Sequence, residues 1–184
     1  MSMVTTAEFK KYSKKMEEDV AGEALYQAYI DAAESILQAF LSYNPAAATY
    51  TGQLYYGDGK PYLQLKAKPI TALTAVSVDG VSRTVGDFSV DQEMIIEKTG
   101  VVFPVGSTVL VTYTAGYSPI PGIVKIVILE IATLLSMEAG ENIGVSSTSF
   151  DGGNTRSFIN YTDFKKYLRK VEHLRISRLP RTAP

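Results

Sequence analysis

Thr108-Val109-Leu110-Val111-Thr112-Tyr113-Thr114 alternates with a period of two. Past Pro119 and Pro121 the pattern turns helical, in Ile123-Val124-Lys125-Ile126-Val127-Ile128-Leu129-Glu130-Ile131. In the first stretch Val109, Val111 and Tyr113 face one way, and Thr108, Thr112 and Thr114 face the other together with Leu110. That is a strand of an antiparallel sheet with one wet face. Pro121 stands where a first helical residue belongs, which predicts a helix over 121–138 with Gly140 past its end. So many aliphatics leave this helix almost no polar face, so it is expected to be buried all round, by its own domain or by neighbouring subunits. Ile123, Val127, Ile128, Leu129, Ile131 and Leu135 are the candidates for that core or subunit packing.

Upstream, turn signals crowd the region 49–114. Tyr50 to Tyr56 and Tyr62 to Lys66 flank Gly57-Asp58-Gly59-Lys60-Pro61 and read as a hairpin. Leu73 to Val78 and Val81 to Val85 flank Asp79-Gly80, the pair favoured in two-residue type I′ turns. Glu93 to Glu97 adds another strand. Before the sheet, Thr5-x-x-Glu8 is a capping-box pattern that opens a helix over 5–18. A second helix is expected over 19–42, ended by Asn44-Pro45. Its Ala21, Ala24, Leu25, Ala28, Ala32, Ile36 and Phe40 form one apolar stripe, rich enough in alanine for a neighbouring helix to approach closely.

Downstream, the stretch 140–160 has no periodicity and is long for a loop, so it is expected to be functional or mobile. A fourth helix is predicted over 162–176. Phe164, Tyr167, Leu168, Val171 and Leu174 make its stripe, with Lys165, Lys166, Arg169 and Lys170 off it. Residues 177–184 form an arm with too little apolar surface to pack alone. The fold class is therefore α+β: a small bundle of about four helices with an antiparallel sheet inserted between the second and third. Residues 1–176 are read as a single domain, followed by the C-terminal arm.

The 184 residues carry 18 Lys+Arg against 19 Asp+Glu, a net charge of −1 that argues against a bulk nucleic-acid coat. From Arg156 onward the charge is +6, and the remainder carries −7. A basic tail on an acidic body points to an acidic partner for the tail. With no cysteine and one histidine, His173, thiol nucleophiles, disulfides, thiolate zinc sites and multi-histidine metal sites are excluded. The start, Met1 to Thr6, lacks the features of a secretory signal, and the most apolar run is too short to span a membrane. A soluble product without membrane attachment is expected.

No catalytic constellation is present. Asp87, Asp91 and Glu93 cluster, but read best as a solvated strand edge. Asp151-Gly152-Gly153-Asn154 lacks the spaced acids of a calcium loop. Gly57-Asp58-Gly59 precedes no helix start and so cradles no phosphate. His173 reads as a surface residue. The prediction is no enzyme, no metal and no cofactor. Arginines interleaved with Ile176, Leu179 and Pro180 suit protein carboxylates and pockets better than a DNA backbone.

The order of elements and several strings resemble the head–tail connector (adaptor, or head completion) proteins of tailed bacteriophages. The strings are Val109-Leu110-Val111-Thr112-Tyr113-Thr114-Ala115-Gly116-Tyr117 followed by Pro119-x-Pro121, Val4-Thr5-Thr6-Ala7-Glu8-Phe9-Lys10-Lys11-Tyr12, and Val76-Ser77-Val78-Asp79-Gly80-Val81. The resemblance implies a ring, usually of twelve copies, beneath the portal of a DNA-filled capsid. It would continue the DNA channel and offer a platform to the stopper or tail completion protein. The implied partners are the portal protein, the stopper, other copies of the chain, and double-stranded DNA passing without sequence-specific binding. The implied location is the neck of a virion assembled in the host cytoplasm. Portal docking would fall to the C-terminal helix and arm: Tyr167, Leu168, Arg169, Lys170, Arg175, Arg178, Leu179 and Arg181. The competing readings are another neck or tail component (a stopper or tail terminator), a small DNA-binding module using the basic C-terminus, and a β-rich ligand-binding domain using Tyr50, Tyr55, Tyr56 and Tyr62.

Overall fold

The first helix is opened by a reciprocal cap. Thr5 Oγ1 accepts the Glu8 backbone N–H at 3.2 Å, and a Glu8 carboxylate oxygen accepts the Thr5 N–H at 2.9 Å. In this computed structural model, which describes residues 2–13, 22–141, 147–149, 155–157 and 162–176, two compact units emerge. The helical unit lies within Met1–Phe40 and Ile120–Arg175, and the β unit within Leu41–Pro119.

In the helical unit the chain forms α1 (Thr6–Ser13), α2 (Glu23–Leu41), α3 (Gly122–Glu141) and α4 (Thr162–Leu168). A 3₁₀ turn over Arg169–Leu174 extends α4, so the expected helix over 162–176 changes type halfway. Pro121 stands one residue before the first of α3, its carbonyl accepting the Val124 N–H, and the helix runs through Gly140 rather than stopping before it. Val124, Val127, Ile128, Ile131 and Ala132 are fully buried and Leu129 nearly so, while Ile126 is exposed. On α1, Phe9 is fully buried and its ring centroid lies 5.6 Å from that of Tyr26 on α2. Glu34 is buried on α2, where its carboxylate accepts the Met3 backbone N–H and the Ser2 hydroxyl and so ties the start of the chain down.

Helix α2 departs from the expected pattern. It buries Tyr26, Ile30, Ala33 and Leu37, whereas Ala24, Leu25, Ala28 and Ala32 of the predicted stripe are exposed. The apolar positions of this helix fall on two faces. Burial selects the one that carries the larger side chains, because the hydrophobic gain scales with the area removed from water.

The β unit holds two sheets, not one. The first has four antiparallel strands in the order β1 (Ala48–Tyr56), β7 (Thr108–Ala115), β3 (Ile70–Val78), β4 (Val81–Arg83). The second has three, β2 (Tyr62–Gln64), β6 (Met94–Glu97) and β5 (Phe88–Val90), with β6 central. The predicted hairpin between Tyr50–Tyr56 and Tyr62–Lys66 therefore does not form. β1 pairs with β7, Tyr55 opposite Val109, and β2 pairs with β6, Leu63 opposite Ile95. The five-residue turn signal between them marks a change of sheet. The predicted β3–β4 hairpin is present, with Asp79 at φ +51 and Gly80 at φ +80 as a primed turn requires. On β7, Val109, Val111, Tyr113 and Ala115 are fully buried and Thr108 and Leu110 are exposed, as the alternation foretold. Two short strands, β8 (Ser147–Ser149) and β9 (Thr155–Ser157), pair within the region read as a loop. The rest of that stretch beyond α3, with its expected mobility, and residues 177–184 lie outside the described residues.

Candidate docking surface

A row of apolar side chains, Phe164, Leu168, Val171 and Leu174, is buried and anchors the C-terminal helical segment. Helical periodicity then turns Lys165, Lys166, Arg169, Lys170, Glu172 and His173 outward. The result is a basic, solvent-facing edge on a fixed support. Between this edge and α2 runs a groove of about 450 Å³, with Ile36, Ala39 and Phe40 on one wall and Phe164, Leu168 and Arg169 on the other. Its lining is mostly apolar, with two cations, Lys165 and Arg169, against one acid, Glu172, which suits a protein segment combining an apolar anchor with carboxylates.

Among the residues expected to dock a portal, Tyr167, Leu168, Arg169, Lys170 and Arg175 share this segment, while Arg178, Leu179 and Arg181 lie outside the described residues. Leu168 is buried, and Tyr167 is half-buried. Lys170 lies 5.3 Å from the centre of the Tyr167 ring, and its ammonium donates to Glu130 of α3 at 2.5 Å. That hydrogen bond, with the attraction of the same carboxylate, raises the Lys170 pKa above the ordinary lysine value. The Arg175 guanidinium stacks over the Phe40 ring at 4.9 Å. Arg169 is the member of the set that is exposed at the groove's rim. Of the residues expected to pack on the third helix, Val127, Ile128, Leu129 and Ile131 are buried, and Ile123 and Leu135 are half-exposed.

The β unit contains a tyrosine cluster that sequence reading did not assemble. Tyr55 and Tyr113 share a hydrogen bond at 2.9 Å, the Lys66 backbone N–H donates to Tyr55 Oη at 3.1 Å, and Tyr50 stacks on Tyr113 at 5.1 Å between centroids. Burial raises the pKa of Tyr50, Tyr55 and Tyr113, and of Tyr43 and Tyr117, whose upward shift is reinforced by Glu93. Of the tyrosines named for a ligand-binding reading, Tyr55 is buried and Tyr56 exposed, on opposite faces of β1. The Asp87, Asp91 and Glu93 cluster is also dispersed in role. Glu93 pairs with Lys68, and Asp91 accepts the Gln92 N–H. Among the described residues no helix is long and apolar enough to cross a membrane.

No protein-family model and no curated protein matches the chain. Solved structures do match it in fold. One is the neck of an empty gene transfer agent (GTA) particle computed with C6 symmetry, at 18% identity and a TM-score of 0.61, covering 99% of this chain and 94% of the other. A second is the virion of a native GTA particle, at 17% identity and 0.60, with the same coverage. A third is the neck of a native GTA particle computed with C12 symmetry, at 14% identity and 0.58, covering 100% and 97%. The chain thus shares its whole-length α+β fold with components of these particles.

Proposed function

We propose that this chain is a structural neck protein of a tailed-phage-type particle. Copies of it form a ring beneath the portal, twelve in number, that continues the DNA channel and joins the head to the stopper or tail. The observation that carries the reading is the end-to-end similarity in fold to particle necks, one of them twelvefold symmetric. The basic C-terminal edge and its apolar groove support portal docking through the C-terminal segment, with Arg169 and the arm residues Arg178, Leu179 and Arg181 as contacts. The charge asymmetry supports it too: a body of −7 repels passing DNA, while a segment of +6 seeks an acidic protein surface. No step in this function needs bond chemistry; the work is assembly. The test is electron microscopy of the purified protein with and without portal-bearing heads that lack tails. Rings seated on the portal vertex are expected, and heads left bare at saturating protein would overturn the reading.

A further inference from the structure

The face of α2 that the fold leaves open has an unusual chemistry. At 100° per residue, Ala24, Leu25, Ala28, Ala32, Ile36 and Ala39, with Tyr29 and Ser35 among them, share an arc of roughly 140°. Six of the eight are exposed, Leu25 at 53%, and none is charged. The other helices of the unit point ionised groups to solvent, among them Glu8 and Lys11 on α1, Lys125 on α3, and Lys165 and Lys166 on α4. Alanine alone would be a good exposed helix former, but an open helix face without a single Lys or Glu, carrying Leu25 and running into an apolar groove, marks an interaction surface.

The edges of this face differ in sign. Asp31, exposed, lies about 20° outside the arc at one edge, and α2 has three acids and no base. The basic α4 edge, with Lys165 and Arg169, borders the other across the groove. Each copy therefore carries both an acidic and a basic border, the complementarity that head-to-tail packing of identical chains requires. A nucleic acid would find no cation on the face itself. The face is about 23 Å long and about 10 Å wide, roughly 230 Å². A stable pairwise interface needs about 800 Å² per partner. Such a contact holds when a closed ring repeats it.

We propose that the uncharged face of α2 is the seat of a neighbouring copy of this chain, packed head to tail so that Lys165 and Lys166 on the neighbour's α4 meet the Asp31 side and Arg169 stays open to the portal. This rests on the ring reading and specifies its interface. The test compares wild type with Ala28→Lys and with the conservative Ala28→Ser, following ring formation by sedimentation and electron microscopy, alone and on portal-bearing heads. Both substitutions sit on an exposed helix position and should melt like wild type. Ala28→Lys is expected to raise the concentration needed for assembly by about tenfold or more, since a buried unpaired charge is costly, while Ala28→Ser assembles normally. Because the chain has no cysteine, a mixture of Ala28→Cys and Lys166→Cys proteins should cross-link, and Ala28→Cys alone should not. Wild-type rings together with normal rings from Ala28→Lys would overturn this interface and leave the ring reading standing. A homotypic Ala28→Cys cross-link would overturn the head-to-tail arrangement. Failure of the wild type to form rings under either condition would overturn both.

Discussion

The hydroxyls of Tyr55 on β1 and Tyr113 on β7 meet at 2.9 Å within the core of the β unit, so adjacent strands are joined by a side-chain bond in addition to their backbone ladder. Both phenols are held protonated by burial, and the stacked Tyr50 adds to the cost of ionising Tyr113. Their folded pKa values lie above the unfolded value of about 10, so the stability they contribute is fully present below that pH and is lost as pH rises beyond it. The β unit is expected to unfold in alkali together with the appearance of tyrosinate absorbance. Tyr113→Phe should cost about 1 kcal/mol at neutral pH, because Tyr55 keeps the Lys66 N–H. Coincident alkaline unfolding by absorbance and circular dichroism checks the first point, and denaturant titration the second.

Glu8 gives the helical unit the opposite pH dependence. The Lys125 ammonium, 2.8 Å away, and the Thr5 cap hold its carboxyl below the ordinary value. A lowered folded pKa contributes stability above the unfolded value of about 4.3 that is lost as pH falls through the folded one. The pair is partly exposed, so Lys125→Met should cost under about 1 kcal/mol at pH 7 and flatten the acid limb of the stability curve. An acid limb unchanged by Lys125→Met would contradict this.

Ile128 is fully buried on α3. Ile128→Asp places an unpaired charge there and should destabilise by several kcal/mol, abolishing soluble folded protein. Ile126→Asp, two residues earlier and exposed, should leave melting within about 0.5 kcal/mol of wild type. Thermal melting of the two variants side by side is the measurement.

Gly116 sits at φ +111 at the end of β7, and a Cβ there would lie 2.5 Å from the Ala46 carbonyl oxygen. Backbone on that side cannot swing away, because the neighbouring Tyr117 N–H is bonded to the Pro45 carbonyl. Gly116→Ala should cost more than about 2 kcal/mol, whereas Gly86→Ala, at an open position of ordinary φ, should be near neutral. Urea midpoints distinguish them.

Docking through the basic edge predicts a salt signature. Reversal of Arg169 to glutamate leaves the buried anchors Phe164 and Leu168 in place, so the fold should persist. Occupancy on portal-bearing heads should fall, and by more at low than at high ionic strength. Co-sedimentation across a salt series measures it; equal losses at all salt concentrations would point to packing instead of charge.

Local signals carried over well from sequence to structure where a single chemical constraint acts. The Thr5–Glu8 box, the Asp79-Gly80 turn and the alternation along β7 are each determined by neighbours in the chain. Strand partnering was not legible, because β1 could pair with β2 or with β7 on identical alternation, and only tertiary burial chooses. Nor did periodicity separate the two apolar faces of α2. The moment of a helix records that apolar positions cluster, while the size contrast between Ile30 or Leu37 and Ala28 or Ala32 decides which cluster goes inward. The groove beside α4 and the tyrosine cluster were invisible for the same reason: their members come from distant segments.

At the base of the β unit, Ala47 and Tyr117 exchange a backbone bond of 3.2 Å, Tyr117 bonds Pro45 at 2.8 Å, and Ala46 and Tyr117 form a parallel bridge. The entry and exit of a 79-residue excursion, Leu41–Pro119, are thus clipped side by side. Under tension applied along the chain from α2 to α3, force takes this short circuit and bypasses both sheets. The β unit is mechanically shielded, with the clip as its fuse. Stretched from its helical ends, the protein should resist with the clip first and then lengthen abruptly as the sheets unravel; weakening the clip at Gly116 should lower the force of that first event without altering the contour length released.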